Sequence, residues 1–238
     1  MRGPYGFEMA DDCATCKLRK NGFFCQMAPA TLKDLDAIRT QSAYPQDAVL
    51  FMEKQAARGV YVLCEGEMKL SVSSSEGKTL ILKIAKPGEI LGLTATLAGG
   101  QYEVTAEALR PCQVAFVRRD DFMRFIAQHP EVYQMISAQL GSQYQTACEQ
   151  LKTIALSTSV NEKLARLLLE WSAGAPQTQG GARTKLPLTH EEIAEFIGTT
   201  RESVTRTLSD FKNRQLVILQ GSTLTIPNRA ALESCVTA

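Results

Sequence analysis

The feature that most constrains this chain is a change of hydrophobic period near residue 119. Before it, apolar residues come in short β-rich runs: "GVYVL", "EMKLSVSSS", "KTLILKIA", "EVTAEAL" and "QVAFVRR". Turn-forming residues separate them, namely Gly59, Gly66, Gly77, "PGE" at 87–89, Gly99, Gly100 and Pro111. Short strands at this spacing predict an antiparallel sandwich or roll. "SSSEGKT" reads as a hairpin tip, with Gly77 supplying a left-handed residue. After residue 119 the apolar positions recur at helical steps, so a helical part must follow the sheet part.

The helical part begins with a short segment ahead of Pro130. A proline-free stretch follows, "EVYQMISAQLGSQYQTACEQLKTIAL". Val132, Ile136, Leu140, Tyr144, Ala147, Leu151 and Ile154 step along it by fours and threes. Such a seam on a long helix predicts pairing with a second copy of the chain; packing on the chain's own β part is the alternative. Residues 31–40, "TLKDLDAIRT", predict one more short helix, with Leu32, Leu35 and Ile38 inward. "NEKLARLLLEW" at 161–171 predicts another, and "SAGAPQTQGGAR" at 172–183 a loop.

The formal net charge is +1, so any polyanion-binding surface has to be local. No apolar run approaches the ~20 residues of a membrane span, which predicts no membrane partner. "MRGPYGFEMADDCATC" carries no apolar signal segment, so a cytoplasmic, reducing location is expected. There the seven cysteines are expected to serve metal or redox chemistry, or to be buried small residues, rather than structural disulfides.

The last third spells a winged helix-turn-helix. "LTHEEIAEFIG" opens with Thr189 and Glu192 in capping-box spacing, and Gly198 permits a sharp turn. A second helix over 200–214 places Val204, Leu208 and Phe211 inward, and "LVILQGSTLTIPN" forms a small hairpin. Arg201, Glu202, Thr205 and Arg206 share the other face at the start of that helix. A recognition helix enters the major groove by this end. Arg can bond guanine O6 and N7 together, and Glu can accept from cytosine N4. Thr199, Thr200, Lys212 and Arg214 flank the set, Thr200 as helix cap and the others as candidate phosphate contacts. A solvated charged face is the alternative.

The punctuated roll, the long helix and "LTHEEIAEFIGTTRESVTRTLSDFKNRQLV" together resemble the CRP/FNR family of bacterial transcription regulators. The resemblance runs from about residue 31 to 230. It implies an α+β chain with an N-terminal antiparallel β-roll like a cyclic-nucleotide-binding jelly roll. A long dimerisation helix and a C-terminal winged helix-turn-helix would follow. It also implies a homodimer that binds a palindromic site in double-stranded DNA and contacts RNA polymerase. Arg201, Glu202 and Arg206 match the Arg–Glu–x–x–x–Arg triplet with which CRP-like members read a GTGA-type half-site. The domain boundaries expected are 1–30 for a cysteine-containing arm and 31–119 for the roll. The helical linker and dimer helix would take 120–157, and the DNA-binding domain 158–238.

Nucleotide-binding members of the family need a Glu for the ribose and an Arg–Ser pair for the cyclic phosphate. Here those positions hold Leu93, Glu103 and Val104, a set that disfavours cyclic AMP. The other candidate for signal reception is Cys13, Cys16 and Cys25, spaced C-x2-C-x8-C, which suits thiolate ligation of one metal centre. The arrangement resembles that of FNR-like oxygen sensors, which bind a 4Fe–4S cluster with an N-terminal triad and a fourth Cys in the roll. Ala115 occupies that fourth position, so Cys112, three residues earlier, is the stand-in expected from the sequence. An odd offset turns a strand side chain to the other face, which counts against it. Zinc, a thiol–disulfide switch and an inert arm are the other readings of the triad. Cys64, Cys148 and Cys235 read as buried small residues.

No nucleophile–base–orienter set can be assembled by spacing, so no enzymatic activity is expected. The alternative function is a metal- or thiol-redox-binding sensor that acts through protein contacts.

Overall fold

The computed structural model describes residues 4–7, 13, 16, 24–157, 159–178 and 180–236, without the side chains of 153–156 and 177–178. The chain divides into two compact units, 1–77 with 82–146, and 78–81 with 147–238.

In the first unit, α1 (Pro29–Ile38) leads into β1 (Arg39–Tyr44), β2 (Val49–Phe51), β3 (Gly59–Glu65), β4 (Met68–Ser73), β5 (Thr79–Ala85) and β6 (Ile90–Leu91). The short helix α2 (Leu93–Ala98) precedes β7 (Thr105–Ala108) and β8 (Cys112–Arg118). α3 (Arg119–Gln128) and the long α4 (Glu131–Leu156) follow; residues 79–81 of β5 and 147–156 of α4 belong to the second unit. The strands form two four-stranded sheets, ordered β1-β8-β3-β6 and β2-β7-β4-β5, the roll expected from the punctuated β runs. α1 starts at Pro29, a favourable first helical residue, two residues before the expected start. Strand β1 begins where residues 39 and 40 were expected to be helical. Its pairing with β8, from Arg39↔Val117 to Tyr44↔Cys112, overrides the local helical pattern. α2 was not expected. It is bounded by Gly92 and Gly99, both left-handed, with φ of 70° and 68°.

The sheet containing β8 is buried on both faces. On the face toward the other sheet lie Leu63, Met68, Tyr102, Cys112 and Val114. On the opposite face Val60, Val62, Ala115 and Val117 pack with Phe24, Leu32, Leu35, Phe122, Phe125, Val132 and Ile136. The alternation along β8, with Cys112 and Val114 to one side and Ala115 and Val117 to the other, follows from the two-residue repeat of a strand.

The second unit holds α5 (Val160–Trp171), β9 (Gln177–Thr178), β10 (Gly181–Lys185), α6 (His190–Ile197), α7 (Arg201–Asn213), β11 (Ile218–Gln220), β12 (Thr223–Ile226) and α8 (Arg229–Glu233). Its sheet runs β11-β12-β10-β9. Part of the expected loop at 172–183 is therefore strand. β10 forms because it pairs with β12, Ala182 opposite Ile226. Gly181 sits at φ +111°, and a Cβ there would meet the Ile226 carbonyl oxygen at 2.1 Å, so the site demands glycine. Among the described residues, no helix is long and apolar enough to cross a membrane.

Candidate nucleic-acid interface and cysteine pocket

The helix-turn-helix is built as its caps dictate. Thr189 accepts from the Glu192 backbone N–H, and Glu192 accepts from that of Thr189, which completes the capping box of α6. Gly198 ends α6 in the left-handed region, at φ 67°. Thr200 then caps α7 by accepting from the Ser203 N–H. Thr200 thus spends its hydroxyl on the helix. Val204, Leu208 and Phe211 are buried, as is Thr207, whose Oγ1 bonds Asn161 Oδ1 at 3.2 Å.

The opposite face of α7 presents Arg201, Glu202, Thr205 and Arg206 to solvent. Among the described residues Arg201, Glu202 and Arg206 form no ion pair. Two guanidinium forks and a carboxylate therefore stand at the positive end of a helix with their hydrogen-bonding capacity unspent. Thr205 is less open: its Oγ1 lies 3.0 Å from His190 Nδ1. Arg214 is the α7 C-cap and pairs with Asp210 at 3.3 Å, while Lys212 is exposed. Thr199 is half-buried in the turn.

The seam expected along α4 divides. Val132 and Ile136 are buried in the roll's own core, and Leu140 packs against that core. The first two cannot also face a second copy. Tyr144 is 73% exposed and Leu151 65% exposed, and Ala147 is exposed beside them. The side chain of Ile154 lies outside the described residues. Tyr133, 47% exposed, extends the open stripe toward the start of α4. Tyr133, Leu140, Tyr144, Ala147 and Leu151 fall on one heptad register, and Val132 and Ile136 on the adjacent inward stripe.

Cys13, Cys16, Cys25 and Cys64 line a single pocket, together with Phe24, Leu35, Arg39, Val62, Ala115 and Val117. Cys112, the fourth cysteine expected from the sequence, is not among the lining residues. Cys112 faces the other core, and its thiol is 3.3 Å from the Glu67 carbonyl oxygen and 3.1 Å from that of Arg110. Cys64 is on β3, two residues after Val62, which pairs with Ala115. Cys64 falls at the β-bulge between Leu63 and Glu65 and packs on the core that Val62 and Ala115 share. A sulfur on the neighbouring strand, that of Cys64, thus lines the pocket beside Ala115. Sequence spacing gave no sign of this, because cross-strand neighbours are remote in the chain.

Burial pushes the Cys13 thiol up to about 12 and the Cys64 thiol up to about 12, against the lowering influence of Arg39. Both are neutral thiols as the pocket stands. Among the described residues no three His, Cys, Asp or Glu side chains stand close enough to hold a metal ion. The donor chemistry nonetheless suits a sulfur-seeking centre: four thiols, apolar walls and one guanidinium to offset thiolate charge. Ligation would draw the sulfurs together and release their protons.

Leu93, Glu103 and Val104, the residues expected to disfavour a cyclic nucleotide, differ in burial. Leu93 is buried in the core and Val104 packs on the roll interior. Glu103 is exposed.

Residues 41–129 match the cyclic nucleotide-binding domain, and residues 162–235 match the Crp-like helix-turn-helix domain. A protein of Rhodopseudomonas palustris described as transcriptional activatory protein AadR is 27% identical over 215 residues, covering 90% of this chain and 87% of its own. The nitrogen fixation regulation protein FixK of Bradyrhizobium diazoefficiens is 23% identical over 227 residues, 95% of this chain and 94% of its own. In fold, the chain is similar to the structure of FixK2 from Bradyrhizobium japonicum, with a TM-score of 0.73 at 23% identity, over 84% of this chain and 98% of that one. The chain belongs to the CRP/FNR family of DNA-binding transcription regulators.

Proposed function

We propose that two copies of the chain pair along α4 and read a palindromic DNA site with α7, in response to a redox or metal signal received at the cysteine pocket. The observation that carries the DNA reading is the unpaired Arg201–Glu202–Arg206 set at the start of α7. These residues would bond guanine and cytosine edges of a GTGA-type half-site. Two such helices must stand about 34 Å apart to enter successive major grooves. The exposed Tyr133, Tyr144, Ala147 and Leu151 supply the pairing face. Contact with RNA polymerase belongs to the same reading. Selection from random oligonucleotides tests it: recovery of an inverted repeat supports the proposal, and recovery of no preferred sequence overturns it.

The signal reading rests on four cysteines around one pocket. Cys13, Cys16, Cys25 and Cys64 would hold a 4Fe–4S cluster, whose oxidation supplies sensitivity to oxygen. In this chain Phe24, Val62 and Val117 keep water from the sulfurs, and Arg39 balances their charge. Anaerobic purification with iron, sulfide and zinc assays decides the occupant. Cys64→Ser should abolish loading and Cys112→Ser should leave it intact. The reverse result would restore Cys112 as fourth ligand, and zinc without sulfide would replace the cluster by a zinc site.

A further inference from the structure

α1 is held on two sides by polar contacts that lead to different parts of the first unit. On one side, both carboxylate oxygens of Asp36 accept from the backbone N–H of Cys13, at 3.1 and 2.9 Å. Asp36 also pairs with Arg39, which lines the cysteine pocket with Leu35 of the same helix. On the other side, Asp34 Oδ2 lies 3.1 Å from His129 Nε2, and the Thr31 hydroxyl donates to Glu131 at 3.0 Å. His129 caps the end of α3 and Glu131 begins α4. At about 100° per residue, Asp34 and Asp36 point to nearly opposite sides of the helix. Between them Leu32 and Leu35 are buried against Phe122, Phe125, Ile126, Val132 and Ile136.

A ten-residue helix moves as one body, because each turn is bonded to the next. A shift that relaxes the Asp36 contact must therefore displace Thr31 and Asp34, and the start of α4 with them. From this geometry we infer that α1 is the coupling element through which the state of Cys13 reaches the first turns of α4. The inference rests on the reading of the cysteine pocket as the sensing site, but the coupling itself is a property of the metal-free chain. Asp36 is a positioning residue for Cys13, and Thr31 and Asp34 are the output contacts. Coupling between two sites is reciprocal, so weakening the output contacts must loosen Cys13.

The test uses the full chain, reduced and metal-free, alkylated with N-ethylmaleimide and read cysteine by cysteine by peptide mass spectrometry. Thr31→Val with Asp34→Asn, two changes near in volume, should speed Cys13 alkylation about fivefold or more. Cys112, in the other core, should keep its rate. Conversely, Asp36→Asn should speed hydrogen exchange of the amides of residues 132–140 in α4. An unchanged Cys13 rate in the double variant overturns the coupling. So does equal acceleration at Cys112, which would mean general loosening of the roll, and so does unchanged exchange in the Asp36 variant. Iron, sulfide and zinc content of the wild-type protein is read separately. A chain that binds no metal but passes these tests removes the metal reading and leaves α1 as the coupling element.

Discussion

Tyr102 lies stacked on Phe51, ring centroids 4.1 Å apart and planes 26° from parallel, and its hydroxyl donates to the Gly59 carbonyl at 2.8 Å. Tyr61 joins the cluster 5.4 Å from Phe51. The roll interior is thus occupied by the chain's own rings. Gly92 makes room for them, since a Cβ there would come within 2.6 Å of the Tyr102 ring. Tyr102→Ala should destabilise the first unit by about 3–5 kcal/mol, as truncation of a buried aromatic does. Calorimetric melting checks this. The same experiment with millimolar cyclic AMP should show no upward shift of the wild-type midpoint, because a ligand that binds the native state must raise it.

Arg206→Ala should lower discrimination between the selected operator and a variant changed at one half-site guanine by about 1–3 kcal/mol, with a smaller change in non-specific binding. Lys212→Ala should act the other way, weakening all sequences alike and reducing the salt slope by about one. Fluorescence anisotropy at several salt concentrations separates the two. A uniform loss for Arg206→Ala would make it a phosphate contact.

The division of the α4 seam makes its two stripes separable by mutation. Leu151→Glu should shift the protein to monomers in analytical ultracentrifugation and abolish operator binding while leaving the melting of the first unit unchanged. Ile136→Ala should cost about 2–5 kcal/mol of stability, through lost burial and a residual cavity. A dimer that survives Leu151→Glu refutes pairing through the exposed stripe.

The buried thiols make the metal-free protein sensitive to alkali. Cys13 and Cys64 lose protons at about 12 in the folded chain and near 9 when unfolded. Above pH 9 the unfolded state therefore holds fewer protons, and stability falls as pH rises. It is fully present below pH 9 and is lost progressively toward pH 12. The melting midpoint should fall across that window, and more shallowly in Cys64→Ala.

Thr189 sets a smaller but cleaner effect. Thr189→Ala removes one side of the α6 capping box and should destabilise the helix-turn-helix by about 1 kcal/mol. Thermal denaturation of the variant checks it, and Thr189→Ser should restore most of the loss.

Where the determinants are local, the sequence alone was sufficient. The Thr189–Glu192 capping box, the left-handed Gly198 and the inward spacing of Val204, Leu208 and Phe211 each depend on residues within about four positions. They define the helix-turn-helix and leave Arg201, Glu202 and Arg206 outward. The hairpin tip at Gly77, with φ +80°, and the alternation along β8 belong to the same class.

What the tertiary structure decided depends on partners distant in the chain. Strand β10 exists because β12 lies beside it, and β1 because β8 does, in each case against the local pattern. Val132 and Ile136 look like members of the seam until the roll is folded against them. Above all, the placement of Cys64 on the pocket lined by Cys13, and of Cys112 in the other core, turns on which strand lies next to Ala115. A sequence lists cysteines in chain order, whereas ligation depends on distance in space, and only strand pairing converts the one into the other.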